Sequence, residues 1–222
     1  MAFSEIIWDY NGTVLDDLDI SIVSMNTLLE RRSMPLLAGR KEYLAKFGFP
    51  VIDYYKKCGF EFSAESFDAV AEEFISVYYR NMESALPKEG IVPLMEKLCG
   101  LGIEQYIVSA AETGWIKRNA QKLGIIKYIK GVVGDDGILA HGKTEYAKRW
   151  LDGRKVDPEK CLYIGDTLHD AQTAAALGTG CVLVSYGHCL KSKLLATGYP
   201  VVDSTESLTE FVLDNIVKNS RR

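Results

Sequence analysis

The chain has 222 residues, 47% of them hydrophobic, which is enough for one sizeable α/β core and a smaller accessory unit. A formal charge of −4 offers neither a basic stripe for nucleic acid nor a polybasic patch for a membrane surface. Five cysteines without a CxxC pair, and three scattered histidines, argue against a zinc site and for small buried thiols in a reducing cytoplasm.

In chain order, the first element is an apolar strand at Glu5 to Trp8, entered without a basic region or a long apolar stretch, so no secretory leader is expected. From Asp16 to Leu86 the pattern is helical throughout. Its apolar positions are Ile20, Val23, Leu28 and Leu29, followed by Tyr43 to Phe47, Ile52 to Lys57 and Phe67 to Tyr79. After Pro87 to Gly90, strands and helices alternate. Strands are predicted at Gln105 to Val108, Gly131 to Val133, Leu162 to Ile164, Val182 to Val184 and Pro200 to Val202. Helices are predicted at Ile91 to Cys99, Thr113 to Lys122, Lys143 to Leu151, Leu168 to Leu177 and Leu208 to Val217, with Lys218 to Arg222 a frayed end. The expected architecture is a Rossmann-like, doubly wound parallel sheet with an inserted α-helical cap. The core would span residues 1–15 and 87–222, and the cap residues 16–86. No apolar run approaches the roughly 18–20 residues of a membrane span.

Three polar residues fall at or just past expected strand ends, where ligands collect in such sheets: Asp9, Ser109 and Asp166. Asp9 opens the run Asp9-Tyr10-Asn11-Gly12-Thr13, in which Asn11-Gly12 forces a turn. A carboxylate pinned there is a poor structural choice and a good nucleophile, although an Asp capping a turn is the plain alternative. Ser109 precedes a helix starting near Thr113. Its hydroxyl and the Ala110 N–H can both donate to an anion, but a serine here could equally be a simple N-cap. Lys143 opens a helix after Gly142, a cation working against the macrodipole unless it has a task or is merely solvated. The segment Gly165-Asp166-Thr167-Leu168-His169-Asp170 places Asp170 one helical turn beyond Asp166, on the same face. His169 is expected to face outward, His141 to lie on a surface loop, and His188 to be able to approach the site without a catalytic role. Lys117, Arg118 and Lys122 read as surface charges.

These four separated segments, in this order, resemble the motifs of the haloacid dehalogenase-like superfamily, most of whose members are magnesium-dependent phosphatases. The phrase Phe47-Gly48-Phe49-Pro50, followed by Asp53-Tyr54-Tyr55, is similar to the cap of its phosphoglycolate phosphatase-type members. The resemblance implies that Asp9 attacks phosphorus to form an aspartyl phosphate. It implies that Ser109, Ala110, Lys143, Asn11 and Gly12 hold the phosphoryl group. It implies that Asp9, Asp166 and the Asn11 carbonyl hold Mg²⁺, with Asp170 orienting the site or serving as a further ligand.

One residue departs from the pattern. The family's phosphatases carry Asp two places after the nucleophile, as the acid that protonates the leaving oxygen, and here that position is Asn11. Loss of such a group costs about 10²–10⁴-fold. The expected activity is hydrolysis of a small phosphorylated metabolite, slowed for alkyl esters, by a monomer or homodimer. A non-catalytic phosphometabolite-binding module is one alternative. A phosphonate or halo-acid hydrolase is another, which for phosphonates would use a cap lysine among Lys41, Lys46, Lys56 and Lys57.

Overall fold

A computed structural model of the chain describes residues 3–135, 143–154 and 156–217. The chain begins with β1 (Glu5–Trp8) and then runs through α1 (Leu18–Arg31), α2 (Arg40–Lys46), α3 (Val51–Lys57), α4 (Phe67–Asn81) and α5 (Ile91–Gly100). It continues as β2 (Glu104–Glu112), α6 (Thr113–Lys122), β3 (Gly131–Asp135), α7 (Lys143–Asp152), β4 (Cys161–Gly165) and α8 (Leu168–Leu177). The last elements are β5 (Gly180–Val184), α9 (Lys191–Leu195), β6 (Val201–Val202) and α10 (Thr205–Val217).

The strands form one parallel six-stranded sheet in the order β3-β2-β1-β4-β5-β6. Strand side chains alternate between two cores, as the pleat requires. Ile6, Trp8, Ile107, Leu162, Ile164, Val182 and Val184 point to one face, where α5, α6 and α10 supply Leu94, Ile116 and Val212. Ile7, Val108, Cys161, Tyr163, Cys181 and Leu183 point to the other, covered by Ala147 of α7, Ala174 of α8 and Leu194 of α9. Helices cover both faces, which is why the central strands read as continuous apolar runs. Successive strands are added outward from β1 to one edge and then from β4 to the other. The switch point therefore lies between β1 and β4, and it sets a crevice at their carboxyl ends.

Between β1 and α5 the chain leaves the sheet. The exit and return run side by side: the Asp16 N–H donates to the Leu86 carbonyl at 3.0 Å, and the Lys88 N–H to the Val14 carbonyl at 2.8 Å. The excursion has its own buried cluster, including Met25, Leu28, Leu29, Tyr43, Tyr54, Tyr55 and Val70. Its last helix, α4, is capped by the Ser66 side chain, which accepts from the Ala69 N–H.

Several expectations need correction. β2 runs on to Glu112, with a register shift between Val108 and Glu112, so Ser109 lies inside a strand that passes directly into α6. The apolar run stops at Val108 and the backbone pairing does not. Val23 is solvent-exposed on α1. Of the cysteines, all free, Cys58, Cys161 and Cys181 are buried, Cys189 is half-buried and Cys99 is on the surface. His141, Gly142 and Lys218 to Arg222 lie outside the described residues. No helix of the described residues is long and apolar enough to cross a membrane.

Candidate active site

β1 delivers Asp9 to the crevice and holds it there by its backbone, the Asp9 N–H donating to the Ile164 carbonyl at 2.8 Å. The next residue, Tyr10, is buried and anchors the loop through its hydroxyl on Asn119 Oδ1 at 2.6 Å. Gly12 has φ of +79°, and a Cβ there would fall 2.4 Å from His188 Cδ2 and 2.5 Å from Asp166 Oδ2. Only glycine lets the loop pass this close to both groups. Gly187 permits the same approach from the loop after β5, where a Cβ would sit 2.2 Å from Asp166 Oδ2.

Lys143 is the bridge of the site. It is only 4% exposed, and its ammonium pairs with Asp9 Oδ1 and with Asp170 Oδ1, the latter at 2.5 Å. Burial pushes its pKa down, yet the charges of Asp170 and Asp9 outweigh this and hold it well above the ordinary value. These carboxylates also resolve the conflict of a cation at a helix start. For Asp9 the balance runs the other way: burial, then the nearby Asp170, raise its pKa well above the usual carboxylate range against the pull of Lys143. Asp170 stays low, because Lys143 and the Thr167 donors overcome its desolvation.

Asp166 directly follows β4 and is fully buried. It accepts from the Thr13 hydroxyl at 2.9 Å and from the His188 N–H at 2.6 Å. Burial lifts its pKa to about 6 despite the charge of His188. Carboxylate oxygens of Asp9, Asp166 and Asp170 lie within 4.8 Å of one another. An all-oxygen donor set of this size fits a hard divalent cation. Asp166 and Asp170 do not share a helical face as expected. Asp166 precedes α8, and Asp170 closes the α8 capping box, its Oδ2 accepting from the Thr167 N–H at 2.8 Å and the Thr167 hydroxyl at 2.6 Å. With Oδ1 on Lys143 as well, Asp170 holds both the lysine and the helix start, while remaining within reach of a cation shared with Asp9 and Asp166.

Ser109 and Ala110 line the same cavity as Asp9, Asn11 and Lys143. The Ser109 carbonyl accepts from the Tyr146 hydroxyl at 2.5 Å, and its Oγ accepts from the Ala111 N–H at 3.2 Å. These bonds fix the strand's last turn toward Asp9. The Asn11 amide donates to the Tyr78 hydroxyl at 2.6 Å and lies 3.4 Å from Asp17 Oδ2.

Sequence reasoning missed Asp17, Tyr43 and Tyr78, and with them the pairing of His188; these four form a second polar chain. Asp17 is buried and accepts from the Gly12 N–H at 2.6 Å, from the Tyr78 hydroxyl and from His188 Nε2 at 3.1 Å. His188 Nδ1 in turn meets the Tyr43 hydroxyl at 2.8 Å. Burial alone would depress the His188 pKa, but Asp17, followed by Asp166 and Asp9, lifts it to about 9. The imidazolium so formed holds Asp17 below the carboxylate range against its own desolvation. No local signal separates buried Asp17 from its exposed neighbour Asp16. His169 also departs from expectation: it lines the cavity, its ring 5.1 Å from that of Phe49. Lys117, Arg118 and Lys122 are exposed, as expected. Of the lysines considered for a Schiff base, none lines the cavity that holds Asp9, and Lys46 pairs with Glu42 at 2.7 Å.

A family model described as haloacid dehalogenase-like hydrolase matches residues 6–184 of the chain. A 5'-nucleotidase of Pseudomonas aeruginosa is 27% identical over 205 residues, covering 88% of this chain and 89% of the relative. A phosphoglycolate phosphatase of Caulobacter vibrioides is 26% identical over 202 residues, covering 82% and 79%. Among solved structures, a haloacid dehalogenase-like family hydrolase from Streptococcus pneumoniae superposes with a TM-score of 0.74 at 22% identity, covering 94% of this chain and 98% of that one.

Proposed function

This chain belongs to the haloacid dehalogenase-like hydrolases, and on that footing we propose that it is a Mg²⁺-dependent phosphomonoesterase acting on a small phosphorylated metabolite through Asp9. The observation that carries the reading is the convergence of Asp9, Lys143, Asp166 and Asp170 at one end of a cavity whose adjoining edge is Ser109 and Ala110. The relatives' names offer two substrates, a nucleoside 5'-phosphate and phosphoglycolate.

In this reading an Asp9 oxygen attacks phosphorus. The new O–P bond forms as the ester P–O bond breaks, and the alcohol oxygen leaves with the electron pair. Water then displaces phosphate from the aspartyl phosphate and restores the carboxylate. Lys143 neutralises charge shared between Asp9 and the phosphoryl oxygens, and the Ser109 hydroxyl and Ala110 N–H supply further donors. Mg²⁺, held by Asp9 and Asp166 with help from the Asn11 main chain, would supply charge neutralisation and alignment. Asn11 has no proton to give the departing oxygen, so esters whose alcohol leaves readily as an anion should turn over fastest. The helical excursion, residues 16–86, serves as the cap that closes over the substrate and excludes water.

Phosphate release measured with and without Mg²⁺, beside an Asp9→Asn control, tests this. Metal-dependent turnover that disappears in the control is expected. Tight phosphate-ester binding with no turnover in the native protein would replace it with the binding-module reading.

A further inference from the structure

We propose that the cavity beside Asp9 selects phosphomonoesters whose organic part is a flat, uncharged aromatic ring. This rests on the phosphatase reading above and names the substrate class of that site.

The cavity measures about 300 Å³, room for about ten waters. A phosphoryl group seated against Asp9 and Lys143 fills only its charged end. The remainder is walled by rings from the helical excursion, with Tyr43, Phe47, Phe49, Tyr54, Phe74 and Tyr78 all contributing. A two-carbon acid would leave most of this wall untouched.

Two of the wall residues stay about half exposed. Phe49 is 49% exposed and Ile75 48% exposed, and both line the cavity. Together with the rings around them they form a contiguous apolar surface beside a charged site, the kind that marks a ligand-binding groove. The rings also stand at angles that leave faces and edges for a guest. Phe47 and Phe49 meet at 5.9 Å and 73°, and Phe47 lies 5.4 Å from His188 at 46°. An aromatic guest can complete such offset and edge-to-face pairs.

The charges around the cavity argue against an acidic guest. Among the described lining residues, Lys143 is taken by Asp9 and Asp170, and His188 by Asp17. Lys57 and Lys193 do not line this cavity but an adjoining cleft of about 210 Å³, which shares Phe47, Phe49 and His169 with it. A carboxylate placed in the main cavity would meet mostly the electron-rich faces of rings and lose its hydration, with the unpaired Tyr54 hydroxyl as a neutral donor and no free cation among the described lining residues.

The experiment compares benzyl phosphate, methyl phosphate and phosphoglycolate as substrates with Mg²⁺. All three leave through an alkyl oxygen, so a preference reports the pocket rather than the leaving group. The expected kcat/KM for benzyl phosphate is at least tenfold above both others, and Phe49→Ala narrows the benzyl-to-methyl ratio about fivefold, through KM. Phosphoglycolate turned over as well as the benzyl ester, or a Phe49→Ala loss equal for all three, overturns the proposal. Calorimetric binding of benzylphosphonate and methylphosphonate to the native protein reads the pocket without turnover. A tenfold lower Kd for the benzyl compound supports the ring pocket even if no ester is hydrolysed, in which case the phosphatase reading alone fails. Equal affinities sink the ring pocket whatever the turnover.

Discussion

On the sheet side of the cavity, four ionisable groups from three segments meet: Asp9 and Asp170 share Lys143, and Asp166 stands beside them. On the helical side, the wall is made of phenyl and phenol rings, among which the Tyr43 hydroxyl meets His188 and the Tyr78 hydroxyl donates to Asp17. The first wall is built from buried charge, which is costly unless every member keeps its partner, so each residue is hard to replace. The second is built from apolar area, which tolerates exchange as long as shape is kept. One wall therefore supplies the chemistry and the other the choice of substrate, and substitutions on the two should fail differently.

The largest expected effect is on the charged wall. Asp9→Asn removes the nucleophile and should lower kcat by about 10⁴-fold or more, read as phosphate release under saturating substrate. A residual rate within tenfold of the native one would mean that another group attacks. Asn11→Asp tests the departure from the family pattern. Its neighbour Asp17 would favour the protonated acid, so alkyl-ester kcat should rise by about 10²–10⁴-fold, with little gain for p-nitrophenyl phosphate. Lys143→Met strands two buried carboxylates and should cost about 3–5 kcal/mol in urea denaturation, besides abolishing turnover.

His188 gives a pH signature. Its folded pKa of about 9 lies above the ordinary value of 6.5, so the Asp17 pairing stabilises the fold fully below pH 6.5. That stabilisation is lost as pH rises through 9, and at about 1.4 kcal/mol per pH unit it amounts to about 3 kcal/mol. Metal-free protein should therefore lose thermal stability between pH 6.5 and 9, and His188→Gln should flatten that slope. The smallest effect belongs to the aromatic side. Tyr78→Phe removes the hydroxyl between Asn11 and Asp17 and should cost about 1–2 kcal/mol. Unlike Phe49→Ala, it should leave the preference for ring-bearing esters in place.

Much of the charged wall is legible in the amino-acid sequence. Asp9, Ser109, Lys143 and Asp166 are recognisable because each follows or opens an element whose periodicity is strong, and parallel sheets gather such positions at one edge. The bounds of β1, α6 and α8 follow directly from apolar runs and turn residues. The end of β2 does not, because the strand continues past Val108 through a register shift to pair again at Glu112 without an apolar pattern. Periodicity puts Asp170 on the right helix but not its capping box with Thr167, which depends on where α8 begins. Asp17 and His188 lie 171 positions apart with no motif around either, so nothing local joins them.

Local residue order, then, determined the alternation of strands and helices and the residues standing at strand ends, because hydrophobic period and turn chemistry act within a few positions. Tertiary structure alone decided which carboxylate Lys143 neutralises, that Asp17 is buried while Asp16 is not, and that the rings of the helical excursion face Asp9. Those outcomes depend on distances between segments far apart in the chain, and Coulomb energy, desolvation and ring contact take their values only once those distances exist.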